Sequence, residues 1–222
     1  MLYPKKISKI VLVIQTFNQS NFKIVCDTLA AGDADLAAII TTCGYPPMWS
    51  RLNTFETLVH IILEQQVSLA SALSALNKLK ERIQEITPAR VLLLTDDELR
   101  ACFFSRQKTA YVRYLAEAIV SGYINLESLA GLPDENIRAQ LTALKGIGNW
   151  TVDIFLMFVL HCADIFPAGD LAAINALKRV KGVTQSTCRE QAAAIAEKWK
   201  PYRTIATMIL WHFYLASPKP SK

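Results

Sequence analysis

The chain has 222 residues, 52% of them hydrophobic and 19% charged, with a formal net charge of +5. That balance excludes a disordered or low-complexity chain and suits one large domain, or two small ones, around a sizeable core. A mild basic excess is compatible with a polyanionic partner but does not establish one. Five cysteines, Cys26, Cys43, Cys102, Cys162 and Cys188, form no CxxC pair. Zinc and iron–sulfur spacing is therefore missing, and the thiols read as reduced in a cytoplasmic protein. Lys5, Lys6 and Lys9 precede a short apolar run, Ile10 to Ile14, but no small-residue cleavage site follows cleanly. Val152 to Ala163 is too short to span a bilayer and reads as a core helix, so no membrane partner is expected.

Helix punctuation is dense along the chain. Ile10 to Phe17 is the only strand candidate, being β-branched and aromatic. Asn53 precedes an apolar run and Glu56 follows three residues later, as in a capping box. Phe55, Leu58, Val59, Ile62 and Leu63 then keep helical spacing. Gln65-Gln66-Val67 interrupts the run, and Ser68 caps a second helix to about Ile86. Thr87-Pro88 is a cap with proline at the first helical position, and Thr95 with Glu98 is another capping box. Ser105 heads a helix carrying Tyr111, Tyr114 and Leu115. Pro133 opens a helix that Gly146-Ile147-Gly148 breaks, and Trp150 begins an apolar helix to about Cys162. Asp170 precedes a helix from Leu171 to Val180. Thr184 or Ser186 starts one ending near Trp199, and Pro201 starts the last, through about Ala216. The spacing predicts an all-α fold of about ten helices in two lobes with a cleft between them.

The informative stretch is Leu144-Lys145-Gly146-Ile147-Gly148-Asn149-Trp150-Thr151. Two glycines permit positive φ and leave no side chain between backbone and ligand. Amides of the turn and of the following helix N-terminus can then face a phosphate, which positions a duplex without reading its sequence. Alone, the motif is as consistent with a plain turn between helices. Asp170 lies twenty residues after Trp150. A helix running outward about 20 Å and a return segment of at most about 26 Å can bring it back level with the hairpin. Asp170 also suits a plain helix N-cap, and both roles can hold together.

LKGIGNWT followed by FPAGD resembles the helix-hairpin-helix superfamily of DNA glycosylases, in particular the 3-methyladenine DNA glycosylase II branch. Phe55-Glu56-x-Leu58, Gln65-Gln66-Val67-Ser68, Ser105-x-x-Lys108 and Trp199-Lys200-Pro201-Tyr202-Arg203 match further segments in the right order, and the likeness runs from about Ala34 to Leu215. The resemblance implies one glycosylase unit over residues 1–222, with one lobe of about 1–55 and 166–222 and another of about 56–165. It implies that Asp170 is the catalytic carboxylate and that Trp150 and Trp211 line the base pocket. Gln66 takes the position that wedges into the gap left by a flipped nucleotide. Ser68, Lys145, Gly146, Ile147 and Gly148 fall in the DNA-binding loop and hairpin. The carbonyls of Leu144 and Ile147 correspond to those that hold a sodium or potassium ion against phosphate. Where strand-cutting relatives carry a nucleophilic lysine, this chain has Trp150, which implies hydrolysis that leaves an abasic site.

The expected function is therefore excision of alkylated bases from double-stranded DNA by a monomer that needs no cofactor and no iron–sulfur cluster. The rivals are a glycosylase for a deaminated or oxidised base, and a non-catalytic DNA-binding module. Trp199 reads as core, and His60, His161 and His212 as isolated residues on apolar helices. Arg106 and Lys108 suit either a phosphate contact or a solvated face.

Overall fold

The computed structural model describes residues 14–216. Among them the regular structure is helical. The elements are α1 (Phe22–Gly32), α2 (Ala34–Cys43), α3 (Phe55–Glu64), α4 (Leu69–Ile83), α5 (Pro88–Leu93), α6 (Asp96–Ala101) and α7 (Arg106–Val120). They continue with α8 (Leu126–Leu129), α9 (Asp134–Thr142), α10 (Asn149–Phe158), α11 (Leu171–Lys181), α12 (Arg189–Ala196), a 3₁₀ turn (Glu197–Trp199) and α13 (Arg203–Ala216). Of the strand candidate, residues 10–13 lie outside the described residues. Thr16 makes an isolated antiparallel bridge with Cys162.

Side-chain caps set many of the boundaries, each contributing about 1 kcal/mol. Ser68, Thr87, Thr95 and Ser105 cap α4, α5, α6 and α7 as their spacing predicts, and Thr95 with Glu98 forms the full capping box. Several boundaries differ from expectation: α4 ends at Ile83 rather than near Ile86, and the last helix starts at Arg203 rather than Pro201. Thr54, not Asn53, caps α3, because Asn53 turns its amide to the Leu126 carbonyl at 2.7 Å. The helix before Trp199 begins at Arg189, since Thr184 and Ser186 hydrogen-bond to each other in the preceding loop. The apolar helix after the hairpin stops at Phe158, and His161 sits beyond it in a left-handed turn at φ 54°.

Two apolar clusters organise the packing. One joins α3–α7 to α9 and α10 through residues such as Leu58, Ile62, Leu115, Leu141 and Phe155. The other joins α1 and α2 to α11–α13 through Val25, Leu36, Leu177, Ile205 and Ile209. Phe158 and Trp211 pack against both clusters, so they lie at the seam. The second cluster has a polar pin. Asp33 caps α2, receives the Trp199 indole N–H at 2.8 Å and pairs with Lys181 at 2.6 Å. Burial opposes the charge of Asp33, but the Lys181 and Trp199 hydrogen bonds hold its carboxyl below the usual range. Trp199 is buried, as its sequence setting suggests. No helix among the described residues is long and apolar enough to cross a membrane.

Candidate active site

Three helices meet at Asp170. Its carboxylate caps α11, with Oδ1 accepting the Ala173 amide at 2.7 Å. Trp150, in the first turn of α10, donates its indole N–H to Oδ2 at 3.0 Å. Trp211, in the middle of α13, donates its own to Oδ1 at 3.0 Å. The chain returns to this point through a tight turn in which the Asp170 amide bonds the Pro167 carbonyl at 2.8 Å. Gly169 leaves room in that turn for Trp150, whose Cβ would lie 3.4 Å from an added methyl. The two tryptophans expected as pocket walls thus aim their N–H edges at the carboxylate. Trp211 also meets Phe158 at 5.6 Å and Trp49 at 6.4 Å between ring centres, at the seam of the two clusters.

The hairpin lies between α9 and α10. The Ile147 amide closes the turn on the Leu144 carbonyl at 3.1 Å, while the Ile147 side chain anchors it in the core. Gly146 has φ +93°, and the Tyr111 ring fills the place where its Cβ would be. Gly148 is the N-cap of α10 and is open to solvent. It offers no side-chain cap, so the first amides of α10 have no intrahelical partner. Free amides and the positive helix end make this turn a surface for an anion. Lys145 is exposed beside it, its ammonium 5.4 Å from the Tyr114 ring centre.

The loop between α3 and α4 is tied to this hairpin. Gln65 donates to the Gly146 carbonyl at 2.9 Å and to the Thr151 hydroxyl at 3.0 Å. Gln66, the next residue, is exposed and held at φ 59°, a left-handed conformation that costs a non-glycine residue on the order of 1 kcal/mol. Ser68 is exposed and spends its hydroxyl on capping α4. Lys108 does not lie on a solvated face. Its half-buried ammonium donates to the Leu63 carbonyl at the end of α3, and burial pushes its pKa down. Arg106 stays exposed in the first turn of α7. The histidines are dispersed: His60 near Glu64, His161 bonded to Ser50, and His212 bonded to the Cys43 carbonyl.

Four features escaped the sequence reading. Gln65 reads as a helix interruption but is the strut between loop and hairpin. We expect Gln65→Ala to leave the Gly146 carbonyl and the buried Thr151 hydroxyl short of a partner, lowering stability by about 1–3 kcal/mol in urea titration. Tyr111 is the ring that the Gly146 conformation accommodates. Phe103, 65% exposed at φ 66°, lines a concavity of about 440 Å³ with Val67 and Lys108. Arg51 and Glu64 form an ion pair behind Phe158. The Gln65 pair and the ion pair join residues distant in sequence or unremarkable in type, so no local pattern marks them. Asp170 lines neither the 440 Å³ concavity nor the one of about 670 Å³ beside Arg51 and His60; it sits on the open seam.

Residues 59–201, which hold the Gln65–Ser68 loop, the hairpin and Asp170, match the HhH-GPD superfamily of base excision DNA repair proteins. The chain belongs to the HhH-GPD superfamily. Schizosaccharomyces pombe DNA-3-methyladenine glycosylase 1 is 31% identical over 161 residues, covering 71% of each protein. YfjP of Bacillus subtilis is 27% identical over 79% of this chain, which spans 64% of that protein's length. The solved structure of the S. pombe 3-methyladenine DNA glycosylase Mag1 with abasic DNA superposes with a TM-score of 0.79, at 28% identity, over 85% of this chain and 95% of that one. Within this HhH-GPD fold, Trp211 lies beyond the matched residues. It reaches Asp170 because α13 packs along α11.

Proposed function

We propose that this chain is a monofunctional DNA N-glycosylase that excises alkylated bases, of the 3-methyladenine and 7-methylguanine class, and leaves an abasic site. The observation that carries the reading is the carboxylate of Asp170, oriented by two indole N–H groups and a helix amide. The names of the S. pombe relatives point to the same substrate class.

A base inside a duplex cannot be reached, so the nucleotide must leave the stack. The free amides of α10, Lys145, and Gly146 to Gly148 grip the backbone, and exposed Gln66 enters the gap. Phe103 stands on the same rim as Val67 and supports the duplex beside it. The carbonyls of Leu144 and Ile147 would hold a monovalent cation against the phosphate. The Ile147 carbonyl suits that task, since it accepts no backbone N–H among the described residues, whereas Gly146's is taken by Gln65. The cation's chemistry is charge neutralisation only, and no cofactor is required.

An alkylated purine carries positive charge, so it leaves readily and is drawn to aromatic faces by about 0.5–2 kcal/mol. As the glycosidic bond lengthens, the sugar gains oxocarbenium character opposite Asp170. A carboxylate has about four acceptor sites. Oδ1 uses both of its own on Ala173 and Trp211, and Oδ2 uses one on Trp150. One lone pair on Oδ2 remains to align the attacking water. Trp150 supplies no amine, so no Schiff base forms. The enzyme works as a monomer on damaged double-stranded DNA.

Incubation with methylated DNA should release free methylated purines and leave alkali-labile abasic sites. Borohydride should trap no protein–DNA adduct. Release of hypoxanthine without release of either methylpurine would favour the deaminated-base reading. No release of any base would favour a non-catalytic module.

A further inference from the structure

Arg51 and Glu64 belong to no part of the chemistry described so far. Arg51 grips Glu64 with two hydrogen bonds, Nη1 to Oε2 at 2.9 Å and Nη2 to Oε1 at 2.6 Å. Glu64 is almost wholly buried at the end of α3, and Arg51 is one-quarter exposed. The Arg51 amide also bonds the Phe158 carbonyl at 2.8 Å. Its guanidinium lies 5.5 Å from the Phe158 ring centre, and that ring lies 5.6 Å from Trp211. These two steps put the guanidinium within about 11 Å of the Trp211 ring, whose N–H holds Asp170. His60, 3.5 Å from Glu64, is a titratable group beside the pair. Burial pushes its pKa below the ordinary histidine value, so it is neutral at physiological pH. Glu56, paired with Lys80, also faces His60, and the Asp170 carboxylate lies at Trp211, so the charge that Glu64 cancels is that of Arg51.

We propose that Glu64 determines specificity by cancelling the charge of Arg51, so that the aromatic seam around Trp211 keeps its preference for cationic bases. This rests on the glycosylase reading above. The Arg51 side chain clamps Phe158 by laying its guanidinium over the ring, but unpaired it would repel a cationic purine. A buried carboxylate bound at both oxygens keeps the clamp and removes the repulsion. At about 11 Å and an effective dielectric constant of 20 to 40, one uncancelled charge changes the population of a bound cation roughly three- to tenfold.

The test compares three variants on duplexes holding a single 7-methylguanine, which is cationic, or a single 1,N6-ethenoadenine, which is neutral. A duplex with a tetrahydrofuran abasic analogue reports binding with no base in the pocket. Glu64→Gln keeps the shape and should lower kcat/KM for 7-methylguanine three- to tenfold, with ethenoadenine release and abasic-analogue affinity unchanged. Arg51→Met leaves a net negative charge and should move the cationic-to-neutral ratio the other way. The double variant should return the ratio to the wild-type value. A purely structural role would slow both bases alike and would not change sign between the variants. Equal effects on both substrates, or no change in 7-methylguanine release by Glu64→Gln, would overturn the proposal. If Arg51→Met fails to fold, Glu64→Gln decides alone, read against abasic-analogue affinity where the neutral base is not a substrate. A wild-type protein that released no methylpurine would instead overturn the glycosylase reading, so the two failures are distinct.

Discussion

Asp170→Asn should lose base release by at least about 10²–10³-fold while retaining most of its affinity for DNA. The loss has two sources. The first is the fixed negative charge that, in the proposed function, would face the developing oxocarbenium ion. The second lies in the hydrogen bonds. Both oxygens of Asp170 accept from protein N–H groups, Oδ1 from Ala173 and Trp211 and Oδ2 from Trp150. An asparagine can satisfy only one side. Its carbonyl will take the Oδ1 position, where two donors wait, and its NH₂ will then face the indole N–H of Trp150. Two donors cannot pair, so Trp150 must shift away. The cap on α11 survives, which limits the cost in stability to about 1–2 kcal/mol. Single-turnover release from methylated DNA, beside binding to an abasic-analogue duplex, separates the two effects. Wild-type release by the variant would remove Asp170 from the chemistry.

The same residue shows how much of the site the sequence carries. Asp170 was legible as an N-cap from its position before an apolar run, and the hairpin was legible from two glycines between helices. Those are local signals: a cap needs its own helix, and a tight turn needs its own glycine. The hydrogen bonds that orient the carboxylate are not local. They arrive from α10 and α13, and only the packing of the two apolar clusters decides that both indoles point inward. The same reason hid Arg51 and Glu64, an ordinary ion pair in one dimension and a neighbour of Trp211 in three. Helix existence is clear at α3 to α7, where periodicity meets a cap. α1 carries a weak start signal because it lacks a side-chain cap, whereas α2 has a local one in Asp33. The misplaced start of α12 followed from reading Thr184 and Ser186 as caps when each had the other as partner.

Gly146→Ala should be far more damaging than Gly148→Ala, although both glycines sit in the one turn between α9 and α10. At Gly146 the backbone has φ +93°, outside the range that an L side chain adopts without strain. An added Cβ would also lie 2.0 Å from Cγ of Tyr111, well inside contact distance. Tyr111 is held by α7, and the Gly146 carbonyl is held by Gln65. Neither the ring nor the turn can give way without moving the hairpin. The expected cost is at least about 3 kcal/mol, from strain and overpacking together. In a protein of this size that lowers the melting midpoint by roughly 6–12 °C. Gly148 has φ −100° and ψ 178°, and nothing lies within 4 Å of its would-be Cβ. Alanine there should fold as the wild type does. Its methyl, however, would stand on the open side of the uncapped α10 amides, where the proposed function places a phosphate. DNA affinity should fall roughly tenfold, the worth of one charge-assisted hydrogen bond, with the melting midpoint unmoved. Thermal denaturation and duplex binding on the two variants give opposite patterns: stability is lost at Gly146, and binding alone is lost at Gly148. If Gly148→Ala bound DNA as tightly as the wild type, the phosphate would have to sit elsewhere than on the start of α10.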